Sequence, residues 1–183
     1  MKMGKFFAIF LVWGMVLGTS GLVMAAEANL RDYNAVVVQD LEVPSGSPAP
    51  ESAGMQMAEK AVFQIKRYNE KYSLFDAIVK EGGKASKEMP FGKKVIIIKG
   101  EVKEYTVPTV GRQIGRSFIP GVGGHIGSAT FAARYKFIDK ETGNVIYETD
   151  LRTSSTGSND TVEYAMDRNG EALAKTITKL KGK

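Results

Sequence analysis

The segment RQIGRSFIPGVGGHIGSATF, from Arg112 to Phe131, holds the residues of this chain that are best suited to binding or chemistry. It contains two arginines, the only histidine of the sequence and several glycines. An arginine guanidinium binds carboxylates and phosphates through paired hydrogen bonds, and glycines allow tight turns and close approach to another backbone. The pattern predicts a binding loop whose candidate residues are Arg112, Arg116, Phe118, Ile119, Gly121, Gly123, Gly124 and His125.

Three interpretations of this loop stay open. It can pack over the end of its own sheet, or dock a protein partner through the arginines and the apolar tip Phe118–Ile119. It can also hold a small anionic ligand or an anionic lipid with the same arginines. Loops longer than about 12 residues are often functional, so we favour contact with a partner, either another protein or a second copy of this chain.

Hydrolysis is a further function for which the sequence offers candidate residues, in this loop and elsewhere in the chain. His125 has only Ser117 and Ser128 near it in sequence, and neither serine lies in a GxSxG turn. A glycoside hydrolase needs two facing carboxylates about 5 to 9 Å apart, for which the candidates are Glu101, Glu104, Glu148 and Asp150. Neither set comes with a supporting catalytic group, so we predict a protein that is not an enzyme.

The sequence also predicts no bound metal ion and no cofactor. One histidine and no cysteine leave only carboxylates as ligands, and these are not spaced as an oxygen-ligand loop. The glycines between 121 and 127 match neither GxxxxGK[ST] nor GxGxxG, and the segment leads into a strand instead of a helix. A nucleotide-binding loop is therefore not expected.

The first 25 residues have the three-part pattern of a secretory signal peptide. Lys2 and Lys5 precede an apolar run over 6–23, and small residues follow up to Ala25. We predict cleavage after Ala25, with a retained anchor as the alternative because the run is about long enough to cross a bilayer. The chain has no cysteine, so the expected product is an exported protein, periplasmic or associated with the outer envelope, that is not a lipoprotein.

The remaining residues, 26–183, have the composition of one domain, with an expected structured core over 33–181. Loss of the signal peptide lowers the net charge from +5 to +3. No block of like charge is present, so nucleic acid is not an expected partner. Without disulfides, packing must stabilise this domain.

Upstream of residue 108 the sequence predicts a strand over 34–43, two helices and a second strand over 93–107. The first helix has apolar residues at helical spacing, at Met55, Ala58, Val62, Ile65 and Tyr68. The same spacing predicts a short second helix through Leu74, Phe75, Ile78 and Val79, ended by two glycines.

Two alternating segments, 130–139 and 144–153, predict an antiparallel hairpin that turns at Gly143. In the predicted register Arg134 and Lys136 share a face with Glu148 and Asp150. The opposite face is apolar, through Phe131, Tyr135, Phe137, Val145, Tyr147 and Leu151. This face is the expected floor for the helices.

A final helix is predicted to run to about Lys179, with an apolar stripe at Val162, Met166, Leu173, Ile177 and Leu180. Asp160 and Glu163 match a capping box at its start. Together the elements predict a two-layer α+β domain. Its sheet is expected to be mostly antiparallel, with about four strands and with helices packed on one face.

The glycine-rich segment and the hairpin after it resemble a bacterial exported family, the domain of unknown function 4410 family. The resemblance rests on Gly111-Arg112, Arg116, Gly121-Val122-Gly123 and Ser128-Ala129, followed by DKETG and NVI in the hairpin. It spans roughly residues 36–177 and implies an α/β fold in the bacterial envelope. It implies no activity and no catalytic residues.

Overall fold

The computed structural model describes residues 28–82, 92–108, 128–155 and 160–183. The predicted signal peptide and its cleavage after Ala25 lie outside these ranges. The helices and strands, in chain order, are β1 Ala35–Val38, α1 Ala53–Tyr72, β2 Ala77–Lys80, β3 Val95–Thr106, β4 Thr130–Asp139, β5 Val145–Ser154 and α2 Val162–Leu180. Within these residues no helix is both long enough and apolar enough to span a bilayer.

The strands form one open sheet in the order β2-β1-β3-β4-β5. β1 pairs in parallel with β2 and with β3, whereas β3–β4 and β4–β5 are antiparallel. The predicted α+β class is confirmed, but the sheet is mixed and has five strands. Parallel neighbours need a long crossover between them, and α1 supplies it between β1 and β2.

The predicted second helix is wrong, because residues 77–80 form strand β2. The preceding helix ends at Tyr72, and its C-cap residue Ser73 adopts a left-handed conformation with φ 49°. The backbone N–H of Phe75 then donates to Asn69 Oδ1 at 2.7 Å, and that of Asp76 donates to the Asn34 carbonyl at 2.8 Å. These bonds direct a short apolar run, which fits a helix or a strand equally well by spacing, into the edge of the sheet.

The core lies between one face of the sheet and the two helices, which pack against each other. The residues of α1 that enter it are Ala53, Gly54, Met57, Ala58, Ala61, Gln64 and Ile65. Met55, predicted on this stripe, is instead 44% exposed. The apolar stripe predicted for α2 is confirmed at four positions that are buried, Val162, Met166, Leu173 and Ile177, and Leu180 packs partly buried against them.

The predicted hairpin register is confirmed. Arg134 lies opposite Asp150 and Lys136 opposite Glu148, and the Arg134 guanidinium donates to both carboxylate oxygens of Asp150 at 2.9 and 3.0 Å. Val145, however, does not join the apolar face. A register shift after Phe137 places Val145 opposite Ile138, and its side chain is 52% exposed.

A buried hydrogen bond joins the start of the chain's described part to the turn of this hairpin. The Tyr33 hydroxyl donates to Asp139 Oδ2 at 2.6 Å. The other carboxylate oxygen, Oδ1, accepts from the backbone N–H groups of Glu141 and Thr142 at 2.8 Å each. These bonds favour the ionised carboxylate, and the Tyr33 bond foremost lowers the pKa of Asp139 from 3.8 to about 2.

The depressed pKa of Asp139 predicts an acid-sensitive contribution to stability. A carboxylate that is harder to protonate in the folded state stabilises the fold above its unfolded pKa and loses that effect below its folded pKa. We therefore expect this contribution to be complete above about pH 4 and to disappear as the pH falls towards about 2. Urea unfolding of the wild type and of Asp139→Asn at pH 7, 4, 3 and 2 measures it. Equal pH slopes for the two proteins below pH 4 would contradict the assignment.

Candidate interaction surface at the end of the sheet

All eight predicted binding residues fall within 109–127 and lie outside the described residues, as do Ser117 and the rest of that segment. What the structure describes is the frame that carries them. β3 ends at Thr106 and β4 begins at Thr130, and these two residues are paired. The segment therefore leaves the sheet and returns to it at one end and on adjacent strands.

Asp160 organises the point where the chain returns. Its Oδ1 accepts from the backbone N–H of Ala129 at 2.9 Å and from the Ser155 hydroxyl. The N–H of Ser155 donates to the Ala129 carbonyl at 2.8 Å, and both residues are fully buried. We call Ser128, Ala129, Ser155 and Asp160 the loop base. It ties the start of β4, the end of β5 and the approach to α2 together.

The role predicted for Asp160 as the helix cap is wrong. Thr161 is the N-cap of α2, with φ −125° and ψ 154°, and its Oγ1 accepts from the backbone N–H of Tyr164 at 3.1 Å. Asp160 is one residue too early for this bond and serves the loop base instead. Its main-chain partner Ala129 lies 31 residues away, so no local sequence pattern could have identified this function.

At the strand ends beside the loop base, the aromatic side chains are packed against each other, whereas the residue that follows β3 is exposed to solvent. The rings of Tyr105 and Phe131 meet edge to face, with centroids 6.5 Å apart. Val107, the residue that follows β3, is 58% exposed. The chain thus enters the segment 109–127 from a solvent-facing apolar residue and leaves it at a buried anchor.

The four carboxylates considered for glycoside hydrolysis are engaged in ion pairs. Arg152 Nε lies 2.7 Å from Glu104 Oε2, and Lys103 Nζ lies 2.6 Å from Glu101 Oε2. Arg134 Nε lies 2.9 Å from Asp150 and 3.4 Å from Glu148.

These ion pairs bear directly on general acid catalysis. The hydrogen bond from Arg152 lowers the pKa of Glu104, and the hydrogen bond from Arg134 lowers the pKa of Asp150. A general acid of a glycosidase needs a raised pKa. This geometry therefore favours a solvated, ion-paired face of the sheet. Within the described ranges, no three histidine, cysteine or acidic side chains are grouped as metal ligands.

The solved structures of PelC have a fold similar to that of this chain. The PelC dodecamer from Paraburkholderia phytofirmans superposes with a TM-score of 0.56 at 13% identity, covering 81% of this chain and 90% of that one. A crystal of a PelC variant from the same organism gives 0.55 at 12%, covering 81% and 92%. Protein XCC0632 from Xanthomonas campestris, of family DUF330, gives 0.46 at 11%, covering 83% and 84%.

Sequence comparison adds no relative to these structures. No protein-family model matches the chain, and no curated protein matches it at a significant level. At 13% identity the likeness to PelC concerns the fold alone. The overall fold is thus what this chain has in common with PelC.

Proposed function

We propose that this chain is an exported envelope protein that acts as a non-enzymatic assembly module, and that the segment 109–127 docks a second copy of the chain. The observation that carries the proposal is the loop base. It fixes the return of the β3–β4 connection to the end of the sheet by two part-buried hydrogen bonds to Asp160 and by the backbone bond between the buried residues Ser155 and Ala129. A loop with a fixed base loses less conformational freedom when it binds than a free segment does.

The residue types in the segment suit a protein contact. Arginine and large apolar side chains are the commonest carriers of binding energy in interfaces, and Arg112, Arg116 and Phe118 supply both. A second copy is the occupant we favour because PelC, which has the same fold, was solved as a dodecamer. The export signal and the resemblance to domain of unknown function 4410 favour the envelope as the location.

The association is tested by removing the two arginines together. Arg112→Ala with Arg116→Ala is expected to weaken self-association at least tenfold, measured as the oligomer–monomer distribution over a concentration series by mass photometry. Lys66→Ala with Lys99→Ala is the matched control, because it removes the same charge from exposed positions of α1 and β3. Thermal unfolding followed by circular dichroism checks that both variants are folded.

A photo-crosslinking residue at Phe118, expressed in the native host, separates the possible occupants. A crosslinked homodimer supports the proposal. Unchanged association of the folded arginine variant, or capture of a different envelope protein without any self-crosslink, would refute self-assembly through this segment. The export part is tested separately by the mass of the mature protein, which we expect to begin at Ala26.

A further inference from the structure

The opposite end of the molecule carries a cleft that none of the preceding roles uses. It has a volume of about 510 Å³ and lies between the residues that precede β1, the start of β5 and the C-terminal turn of α2. Its lining includes Asn29, Arg31, Tyr147, Lys179 and Leu180. Because α2 runs from the loop base to this cleft, its 19 residues separate the two sites by about 28 Å at 1.5 Å per residue.

The walls of the cleft are held in place by bonds between the two ends of the described chain. The backbone N–H of Leu30, a fully buried residue, donates to the Leu180 carbonyl at 3.0 Å. The Lys181 ammonium donates to the Tyr33 carbonyl at 2.7 Å and lies 4.8 Å from the centre of the Phe75 ring. The segment 28–33 is therefore strapped across the end of α2, and the cleft is formed before any ligand arrives.

The carbonyl groups at the end of α2 are already occupied. A helix normally leaves its last four carbonyls without partners, where they attract cations. Here the acceptors Ile177, Thr178, Lys179 and Leu180 receive backbone N–H groups from Lys181, Lys183, Gly182 and Leu30, at 2.9 to 3.1 Å. Nearby cationic side chains are thus not needed to satisfy the helix end.

The cations of the cleft are available to a ligand. Arg31 and Lys179 are exposed, and among the described residues no carboxylate lies within ion-pair distance of either. The Arg31 guanidinium lies so close to Gly182 that a Cβ there would be 2.6 Å from its Nε. Asn29 Oδ1 accepts from the backbone N–H of Arg31 at 2.8 Å, which leaves the amide NH₂ as a further donor.

One wall of the cleft is apolar. Tyr147 is half-buried, and its ring contacts the buried Phe137 edge to face with centroids 5.5 Å apart. Leu180 packs partly buried against the core beside it. The volume of the cleft, about 510 Å³, is within the range of pockets that hold a drug-sized ligand. The cleft therefore has room for a ligand much larger than a bare phosphate ion.

We propose that this cleft binds a phosphate-bearing anion, with Arg31 and Lys179 on the phosphate and Tyr147 beside the apolar part of the ligand. The guanidinium fork and the ammonium point charge together match a group with several acceptor oxygens. The apolar wall formed by Tyr147 and Leu180 beside these cations favours a phospholipid, which has an apolar part next to its phosphate, as the source of the anion.

Titration calorimetry on the purified chain, with water-soluble short-chain lipids below their micelle concentration, tests this site. Dihexanoyl phosphatidylglycerol is expected to bind at least tenfold more tightly than dihexanoyl phosphatidylcholine, whose headgroup is zwitterionic. Arg31→Gln with Lys179→Gln is expected to weaken binding of phosphatidylglycerol at least tenfold. The affinity that remains in this double variant should fall only slightly from low to high salt. Lys66→Gln with Lys99→Gln, an equal change of charge outside the cleft, should leave binding unchanged.

Inorganic phosphate distinguishes the two sources of the anion. Weaker binding of inorganic phosphate than of phosphatidylglycerol, together with loss of lipid affinity in Tyr147→Ala, supports the headgroup. Equal binding of the two, still abolished by the double substitution, supports the phosphate site with a free phosphate as its ligand. The absence of binding by both, equal affinity for the zwitterionic lipid, or unchanged binding by the folded double variant would overturn the proposal.

Discussion

Replacing Gly54 with alanine is expected to lower the free energy of unfolding by about 3 kcal/mol or more, the upper part of the range for overpacked cores. Gly54 lies in the first turn of α1 and is buried. A Cβ at this position would be 1.9 Å from the Leu41 carbonyl oxygen and 2.9 Å from its carbon. Both are backbone atoms, so no side-chain rotation can relieve the overlap.

The same substitution also breaks a hydrogen bond. The backbone N–H of Leu41 donates to the Gly54 carbonyl at 3.2 Å, and this bond fixes the turn between β1 and α1 against the helix. Separating the two backbones to admit a methyl group removes it. The gain in helix propensity from glycine to alanine, about 1 kcal/mol, is too small to compensate.

Two other glycines provide graded controls for this experiment, measured by urea unfolding at pH 7. A Cβ at Gly170, where α2 crosses α1, would lie 3.1 Å from the Lys60 carbonyl oxygen, so Gly170→Ala should cost clearly less than Gly54→Ala. No other described atom lies within 4 Å of a Cβ at Gly82, but the residue has a φ of +76°, and Gly82→Ala should cost about 1 kcal/mol through backbone strain. A Gly54→Ala protein as stable as the Gly82→Ala protein would contradict the packing argument.

The parts of the fold that the sequence predicts correctly are those whose signals are local. The hairpin is defined by two alternating segments around Gly143, whose φ of +73° requires the residue found there. The opposite charges of Arg134 and Asp150 select the register that the structure has. For α2, the regular spacing of buried residues from Val162 to Ile177 is sufficient.

The parts that the sequence mispredicts depend on long-range contacts. Residues 77–80 become a strand because Val37 and its neighbours in β1 lie alongside them, which spacing within an apolar run cannot indicate. Met55 is apolar but falls outside the stripe, because α1 turns the smaller residues Ala53, Gly54 and Ala58 towards the core. Close packing of two helices favours small side chains at the contact, whereas the prediction from hydrophobic spacing relies on large apolar side chains.

The two candidate sites differ in the same way. Residue types and glycine content mark the segment 109–127 within a single stretch of sequence. The cleft that we propose as a phosphate site brings Arg31 next to Lys179 and Tyr147, which lie more than 100 positions away in the chain. Arg31 and Lys179 belong to no local sequence pattern that would mark them as a pair. They are identified only by the structure, in which the hydrogen bond from Leu30 to Leu180 brings the two segments together.

A buried polar cluster between β4, β5 and α2 is the other place where one substitution should have a large effect. Asn169, in the middle of α2, is fully buried. Its Oδ1 accepts from the Tyr135 hydroxyl at 2.7 Å, and its Nδ2 donates to the Leu151 carbonyl at 3.0 Å and to Thr153 Oγ1 at 3.3 Å. Burial raises the pKa of Tyr135, so its hydroxyl keeps its proton and remains a donor.

Asn169→Ala is expected to cost about 3 kcal/mol, because it leaves the Tyr135 hydroxyl buried without its acceptor and opens a cavity at the helix–sheet contact. Tyr135→Phe removes only the donor and should cost about 1 to 2 kcal/mol. Asn144→Ala, at an exposed turn, is the control and should change stability by less than about 0.5 kcal/mol.

Combining the two substitutions distinguishes a hydrogen-bonded pair from two independent packing residues. Once Asn169 is alanine, removing the Tyr135 hydroxyl relieves an unpaired buried group, so the double variant should be more stable than the sum of the single effects predicts, by about 1 to 2 kcal/mol. Strictly additive effects in urea unfolding would mean that the 2.7 Å bond contributes nothing beyond packing. The expected coupling follows from burial, because water cannot replace a partner that is lost inside the core.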